Sequence, residues 1–345
     1  MIDPTTLVRP NIRALTPYSS ARDEYTGQGV FLDANENPYG TLNRYPDPYQ
    51  RALKQRVAEL KGVPAEQCFV GNGSDEAIDL LLRIFCEPGR DRAVVFPPTY
   101  GMYAVSAAIN NVGLIELPLT DDFRLPVANF PQLASAENCP LLFICSPNNP
   151  TGNTMQASAV EMLLRTFRGI VVVDEAYIDF SDHPSWTARL NEFPNLVVLQ
   201  TLSKAWGLAA ARIGLAFASP AVVALLNKVK PPYNVPGPSQ EVALQALRDP
   251  RAFEQQLAAL HREKTRLRNA LAELPNVLEI YPSNTNFFLL RVTNANALYQ
   301  QLLEQRIVVR NRHSVVRNCL RITVGTPEEN NALINALSYE KSPLS

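Results

Sequence analysis

The chain has 345 residues, too many for one minimal domain, and 46% of them are apolar, enough for a sizeable packed core. Its 32 Lys and Arg nearly cancel its 33 Asp and Glu, leaving a formal charge of -1, and no block of like charge offers a landing surface for nucleic acid or membrane. The start, MIDPTTLVRPNIRALTPY, lacks a basic head followed by an apolar run, and nowhere do about 18 apolar residues follow one another. The five cysteines have no CxxC pairing, and His183, His261 and His313 lack metal-ligand spacing. These features point to a cytoplasmic protein that handles small molecules, with no metal, nucleic acid or membrane partner.

The first 45 or so residues, with Pro4, Pro10, Pro17 and Pro38, are expected to resist regular structure and to wrap the surface or reach a partner subunit. From about residue 66 to 220, apolar β-branched runs alternate with helical patterns. CFVGNG precedes SDEAIDLLLRIFC, RAVVFPP precedes YGMYAVSAAIN, and LLFICSPNNP precedes a helix through Met162; GIVVVDEAY, LVVLQTLSK and GLAFASP follow. This alternation predicts an α/β fold, a mostly parallel sheet with helices on both faces. The run IVVVD is apolar on successive residues, as a strand covered on both faces requires. Ligands in such sheets bind beyond the carboxyl ends of the strands, so GNGSDE, SPNNPTG, DEAY and TLSK should converge on one crevice.

Beyond the Pro-rich PPYNVPGPSQ, helical stretches run from Gln240 to Leu274, with a stripe of Phe253, Leu257, Leu260, Leu267, Leu271 and Leu274 that reads as core or interdomain packing. Then VLEIYPSNTNFFLLRV, a helix from about Ala297, IVVRNR and CLRITVG read as strand, helix, strand and strand, closed by a helix from Pro327. The expected organisation is an arm over 1–45, a large domain over 46–235, and a connecting helix with a smaller α+β domain over 236–345.

Four motifs carry chemistry. TLSKAWGLAAARIG places Ser203, Lys204 and Arg212 in a setting otherwise poor in charge. Desolvation and neighbouring positive charge lower a lysine's pKa and make it a better amine nucleophile toward a carbonyl cofactor, although a lone lysine there reads more readily as a packed stem with its head in water. Asp174 ends the apolar run IVVVD and needs a cationic or hydrogen-bonding partner. A protonated pyridine nitrogen would serve, with Tyr177 three residues on as a donor to a phenolate oxygen; a strand-end cap is the plainer alternative. In GNGSDE, Gly73, Ser74 and Asp75 lie between a strand and a helix, where free backbone N–H groups suit a phosphate, and the Lys of a Walker loop is absent. SPNNPTG, with Asn149, is by itself turn chemistry.

In this order, GNGSDE, PPTYGMY, SPNNPTG, VVVDEAY and TLSKAWGLAAARIG resemble the aspartate-aminotransferase-like, fold-type I enzymes that depend on pyridoxal 5′-phosphate (PLP). LTPYSSAR, LDANENPYG, RYPDP, PPYNV and CLRITVGT resemble the histidinol-phosphate aminotransferases among them, so the resemblance spans nearly the whole chain. It implies a large PLP-binding domain on a mostly parallel seven-stranded sheet, with Lys204 as Schiff-base lysine and general base. Asp174 would pair with the pyridine nitrogen, Asn149 and Tyr177 would hold the phenolate oxygen, and Tyr100 would stack on the ring. The cofactor phosphate would rest on Ser74 and Asp75 backbone groups, Ser203 and Arg212, with Tyr45 reaching in from the other subunit of a homodimer with shared active sites.

Arg310 and Arg321 match the substrate arginines, whose forks suit carboxylate or phosphate. Tyr18 and Asn37 would close over the substrate. The implied reaction is transamination between histidinol phosphate and 2-oxoglutarate, a step of histidine biosynthesis that yields imidazole-acetol phosphate and glutamate. Rival readings within the resemblance are an aromatic or broad-range amino-acid aminotransferase and a threonine-phosphate decarboxylase-like enzyme. One departure stands out: Ala209, Ala210 and Ala211 precede Arg212 where a glycine is common, which puts the phosphate-site geometry in question.

Overall fold

A computed structural model describes residues 3–18, 29–134 and 136–338. The apolar runs become strands β1 (Cys68–Asn72), β2 (Arg92–Val95), β3 (Gly113–Glu116), β4 (Leu141–Cys145), β5 (Ile170–Asp174), β6 (Leu196–Thr201) and β7 (Ile213–Ala218) of one sheet, in the order β1-β7-β6-β5-β4-β2-β3. All neighbours are parallel except β7, which runs antiparallel to both β1 and β6. Along β5, Val171 and Val173 enter the core on one face of the sheet while Ile170 and Val172 enter the core on the other. Both faces are thus covered, which explains the unbroken apolar run. Burial of each such side chain contributes about 1.5–3 kcal/mol.

The reversal of β7 has a consequence for the site. Because β7 returns directly from β6, the 202–212 connection lies at the same sheet edge as the carboxyl ends of the parallel strands. Antiparallel pairing with β1, in which Asn72 faces Ile213 and Gly71 faces Gly214, brings the Gly73–Ser74 turn to that edge too.

The N-terminal expectation needs correction. Residues 4–14 are ordered into a 3-10 turn (Pro4–Leu7) and a short helix (Pro10–Ala14), and Val8 and Ile12 are buried against the large core. Pro4 and Pro10 sit in the first turn of their elements, where a missing N–H costs nothing, so these prolines start helices instead of preventing them. Residues 29–50 are irregular, as expected, apart from local turns.

The C-terminal part departs from the expected pattern at two places. VLEIYPSNTNFFLLRV is two antiparallel strands, β8 (Val277–Ile280) and β9 (Phe287–Val292), because the Ser283 hydroxyl donates to the Phe287 carbonyl at 2.5 Å and closes a turn within the run. IVVRNR supplies only the two-residue β10 (Arg310–Asn311), which pairs with β11 (Cys319–Thr323) in the antiparallel order β10-β11-β9-β8. The helical stretch before them breaks at Asp249, which caps a 23-residue helix (Pro250–Ala272) by accepting from the Ala252 N–H. The expected stripe on that helix divides its contacts. Leu257 packs beside Tyr177 and Phe180, Leu260 packs against both clusters, and Leu267 and Leu271 enter the core of the small sheet.

All five cysteines are buried and unpaired. Among the described residues no helix is long and apolar enough to cross a membrane.

Candidate active site

At the sheet edge where the motifs meet, a cavity of about 490 Å³ opens. Its lining includes Ser74, Asp75, Tyr100, Asn149, Asp174, Tyr177, Ser203, Lys204, Arg212, Arg310 and Arg321, eleven of the residues singled out in the sequence. Tyr45, Tyr18 and Asn37 are not among them. Tyr45 stacks on Tyr233 with ring centroids 4.4 Å apart, Tyr18 is exposed beside Tyr49 and Pro232, and the Asn37 side chain accepts from the Tyr39 N–H in an exposed turn. These three belong to the irregular N-terminal segment, which the strand ends do not fix.

Asp174 is buried where β5 ends. Its carboxylate accepts from the Tyr103 hydroxyl at 2.7 Å and from the Ala176 N–H at 3.1 Å. Burial pushes the carboxyl up to about 6, against the pull of both hydrogen bonds. A carboxyl in that position favours a cationic partner. Tyr103, which sequence reasoning passed over, is held by stacking on Phe143 with centroids 4.9 Å apart. Its only trace in the sequence is the second tyrosine of PPTYGMY, one helical turn beyond Tyr100.

The SPNNPTG turn is buried, unlike an ordinary surface loop. Asn148 bridges the Pro98 carbonyl and Thr151, while Asn149 donates to the Tyr177 hydroxyl at 3.3 Å and accepts from Arg321 at 2.5 Å. Asn149 therefore couples the large sheet to β11. Tyr100 donates to Asp75 at 3.1 Å and meets Tyr103 edge-on.

Lys204 projects into the cavity with its ammonium 5.8 Å from the Tyr177 ring centroid. Partial burial lowers its pKa, and Arg321 and Arg212 lower it further against the opposing fields of Asp75 and Asp174. That direction favours a free amine.

The start of the helix Ser74–Phe85 and its neighbours suit an anion. Gly73 provides no side-chain cap to the helix Ser74–Phe85, so the first N–H groups of that helix lack an intrahelical or capping acceptor. The Ser203 hydroxyl is buried and has no hydrogen-bond partner. Arg212 adopts the left-handed conformation (φ 57°), which the preceding Ala209–Ala211 turn delivers without a glycine, so the departure noted in the sequence keeps the arginine at the cavity. Gly73, at φ +76°, leaves room for the Arg212 guanidinium, which would lie 2.6 Å from a Cβ there. A Cβ on Gly214 would overlap the Gly73 carbonyl carbon and the Ser74 nitrogen, so glycine at 214 is what allows β7 to approach the turn.

The small sheet contributes arginines to the same cavity. Arg310 and Arg321 face each other in the β10–β11 register, and Arg312, also missed in the sequence, lines the cavity with them. Five cations, Lys204, Arg212, Arg310, Arg312 and Arg321, thus confront two carboxyls, Asp75 and Asp174, in a chain that is nearly neutral overall. Such a site selects a polyanionic ligand.

The model for "Aminotransferase class I and II" matches residues 26–337. The chain belongs to the class I and II aminotransferases. A histidinol-phosphate aminotransferase of Parabacteroides distasonis is 51% identical over 99% of this chain and 100% of its own length, and one of Cytophaga hutchinsonii is 50% identical over 96% and 97%. The fold matches that of the Sinorhizobium meliloti histidinol-phosphate aminotransferase in complex with pyridoxal-5′-phosphate, with a TM-score of 0.78, 24% identity, and coverage of 86% of this chain and 82% of that one. This aminotransferase is a PLP-dependent enzyme. The unpartnered Ser203 hydroxyl, the uncapped helix start and Arg212 fit the cofactor's phosphate, and the raised carboxyl of Asp174 fits its pyridinium.

Proposed function

We propose that the enzyme transfers an amino group between histidinol phosphate and 2-oxoglutarate. The observation that carries this reading is the pairing of a weakened lysine base with two cationic stations carried by different sheets. One station, at Ser74, Ser203 and Arg212, suits the cofactor phosphate; the other, at Arg310 and Arg321, suits an anion on the substrate. When bound, PLP supplies an electron sink for the electron pair released at the substrate Cα. Asp174 would keep the ring nitrogen protonated, since its carboxylate gains a cationic partner there. Asn149 and Tyr177 would hold the phenolate oxygen, and Tyr100 would cover the ring face. Lys204 is the base that takes the Cα proton and returns it one position along.

The second station explains how one enzyme accepts two amine donors. Histidinol phosphate has no α-carboxylate and glutamate has two carboxylates, so a guanidinium pair that binds either oxyanion serves both halves of the ping-pong cycle. The long names of the relatives support the phosphate ester as the physiological donor.

The assembly belongs to this proposal as well. Val30, Leu32, Tyr39 and Leu42 are exposed, at 78–89%. Apolar side chains clustered in one irregular segment mark a contact surface, which supports a homodimer in which Tyr45 of each protomer reaches its partner's cofactor phosphate and Tyr18 and Asn37 close over substrate. The unpaired cysteines support a cytoplasmic location. The arm over 1–45, large domain over 46–235 and small domain over 236–345 complete the organisation.

Single-half-reaction rates with histidinol phosphate, phenylalanine and threonine phosphate test the substrate, and preference for phenylalanine or loss of CO2 from threonine phosphate would overturn the assignment. For Lys204→Ala, the visible absorbance of the bound cofactor should shift and turnover should fall by at least about 10⁴-fold. Unchanged turnover would refute the role of Lys204. Sedimentation at micromolar concentration should give a dimer.

A further inference from the structure

Three guanidinium groups share one face of a two-stranded ribbon. Arg310 and Arg321 are direct cross-strand partners, and Arg312 follows two residues after Arg310, where its N–H donates to the Cys319 carbonyl at 2.9 Å and extends the ribbon. All three line the cavity. Like charges directly opposite each other destabilise a strand pair, so this arrangement costs folding energy unless an anion lies among them. Among the described residues no carboxylate forms an ion pair with any of the three. The Nε atoms of Arg312 and Arg321 are buried and have no hydrogen-bond partner. Burial, then the fields of Arg321 and Arg310, lowers the basicity of Arg312, which is the electrostatic cost of the cluster seen from its third member.

We propose that Arg312 is a specificity-determining residue that contacts the phosphate monoester of the substrate and makes the distal station discriminate a dianion from a carboxylate. The inference rests on the substrate reading above and extends it. Arg321 already spends one donor on Asn149 and is the arginine fixed to the large sheet. Two guanidinium groups balance the charge of one carboxylate with excess. A phosphate near neutrality carries about -1.5 to -2 charge and three acceptor oxygens, enough for a third fork. Arg312 therefore adds little to glutamate binding and much to a phosphate ester.

The test uses purified holoenzyme in single-half-reaction assays, comparing wild type with Arg312→Gln and Arg312→Lys. For Arg312→Gln the half-saturating concentration of histidinol phosphate should rise about 10- to 100-fold, while that of glutamate changes less than about threefold. Arg312→Lys, which keeps charge but loses the fork, should fall between them. Inorganic phosphate, tested as a competitive inhibitor of the glutamate half-reaction, should weaken about tenfold in Arg312→Gln. Equal losses for both donors, or an unchanged response to both histidinol phosphate and inorganic phosphate, would overturn the role. If wild type reacts with glutamate but not with histidinol phosphate, the substrate reading fails, and the phosphate-inhibition comparison still decides whether Arg312 binds a phosphate. Retained cofactor absorbance shows that each variant is folded; should Arg312→Gln fail to fold, Arg312→Lys carries the same comparisons.

Discussion

Asp174→Asn separates what the protein needs for folding from what it needs for chemistry. In the cofactor-free chain, burial raises the Asp174 carboxyl from its ordinary 3.8 to about 6. A folded-state pKa above the unfolded value means that the native state binds the extra proton between those limits, so this group's contribution to stability falls as pH rises from about 4 to 6. The full penalty, about 2 pKa units or roughly 3 kcal/mol, applies above pH 6 and vanishes below about pH 4. Asparagine has nearly the same shape and no charge to desolvate, and its carbonyl can still accept from the Ala176 N–H. Urea unfolding of cofactor-free protein at one fixed protomer concentration should show Asp174→Asn more stable by roughly 2–3 kcal/mol at pH 7.5, with the difference shrinking toward zero near pH 4. The same variant should lose at least about 10³-fold in turnover, because no carboxylate remains to hold the cofactor nitrogen protonated. A stability difference independent of pH, or one that favours the wild type increasingly as pH rises, would refute the reasoning.

Two further substitutions test how the site is held. Gly214→Ala should destabilise the protein by about 3 kcal/mol and weaken PLP binding at least about tenfold, since the new methyl must push the Gly73–Ser74 turn away from β7; thermal unfolding and a fluorescence titration of cofactor would measure both, and a fully tolerated methyl would show that the turn is not wedged there. Glu175, buried beside Asp174, accepts from Ser185 at 2.5 Å, the Trp186 N–H at 2.7 Å and Gln200 at 2.9 Å, and burial raises its carboxyl to about 7. In Glu175→Ala, Ser185 and Gln200 keep each other and Thr187 as partners, so chiefly the Trp186 N–H is stranded; urea unfolding at pH 4.5, where the buried carboxyl is protonated and carries no charge penalty, should show a loss of about 1–3 kcal/mol, and no loss there would mean that this donor finds another acceptor.

The large sheet could be read from the sequence because its signals are local. Apolar runs covered on both faces, glycine at the turn after β1 and polar residues at strand ends each declare themselves within a few residues. The small sheet was harder for the opposite reason. β10 is two residues long, whereas the turn between β8 and β9 is legible after all, because PSNTN at 282–286 is a polar, Pro-containing cluster that divides the two apolar runs. The N-terminal prolines misled in a third way: a proline excludes helix interiors but favours helix starts, and only the burial of Val8 and Ile12 decides between the two.

The same division runs through the site. Lys204, Asp174 and Arg212 sit in contiguous motifs at the ends of β5, β6 and β7, so the residues expected to handle the cofactor lie together as soon as the sheet forms. Tyr103 and Arg312 do not announce themselves, because each acquires meaning only from a partner far away in sequence: Tyr103 from Asp174, 71 residues on, and Arg312 from the register that sets Arg310 opposite Arg321. That register is set by the 313–318 connection, which is longer than the two-residue turns that can be recognised from sequence. A slip of one residue would turn Arg321 to the other face of the ribbon, away from Asn149 and from the cavity, and leave the cofactor station untouched. The residues proposed to hold the cofactor and the arginines proposed to select the anion therefore sit on different elements of the fold, joined through the Arg321–Asn149 hydrogen bond, and a change among those arginines leaves in place the lysine proposed to transfer the proton.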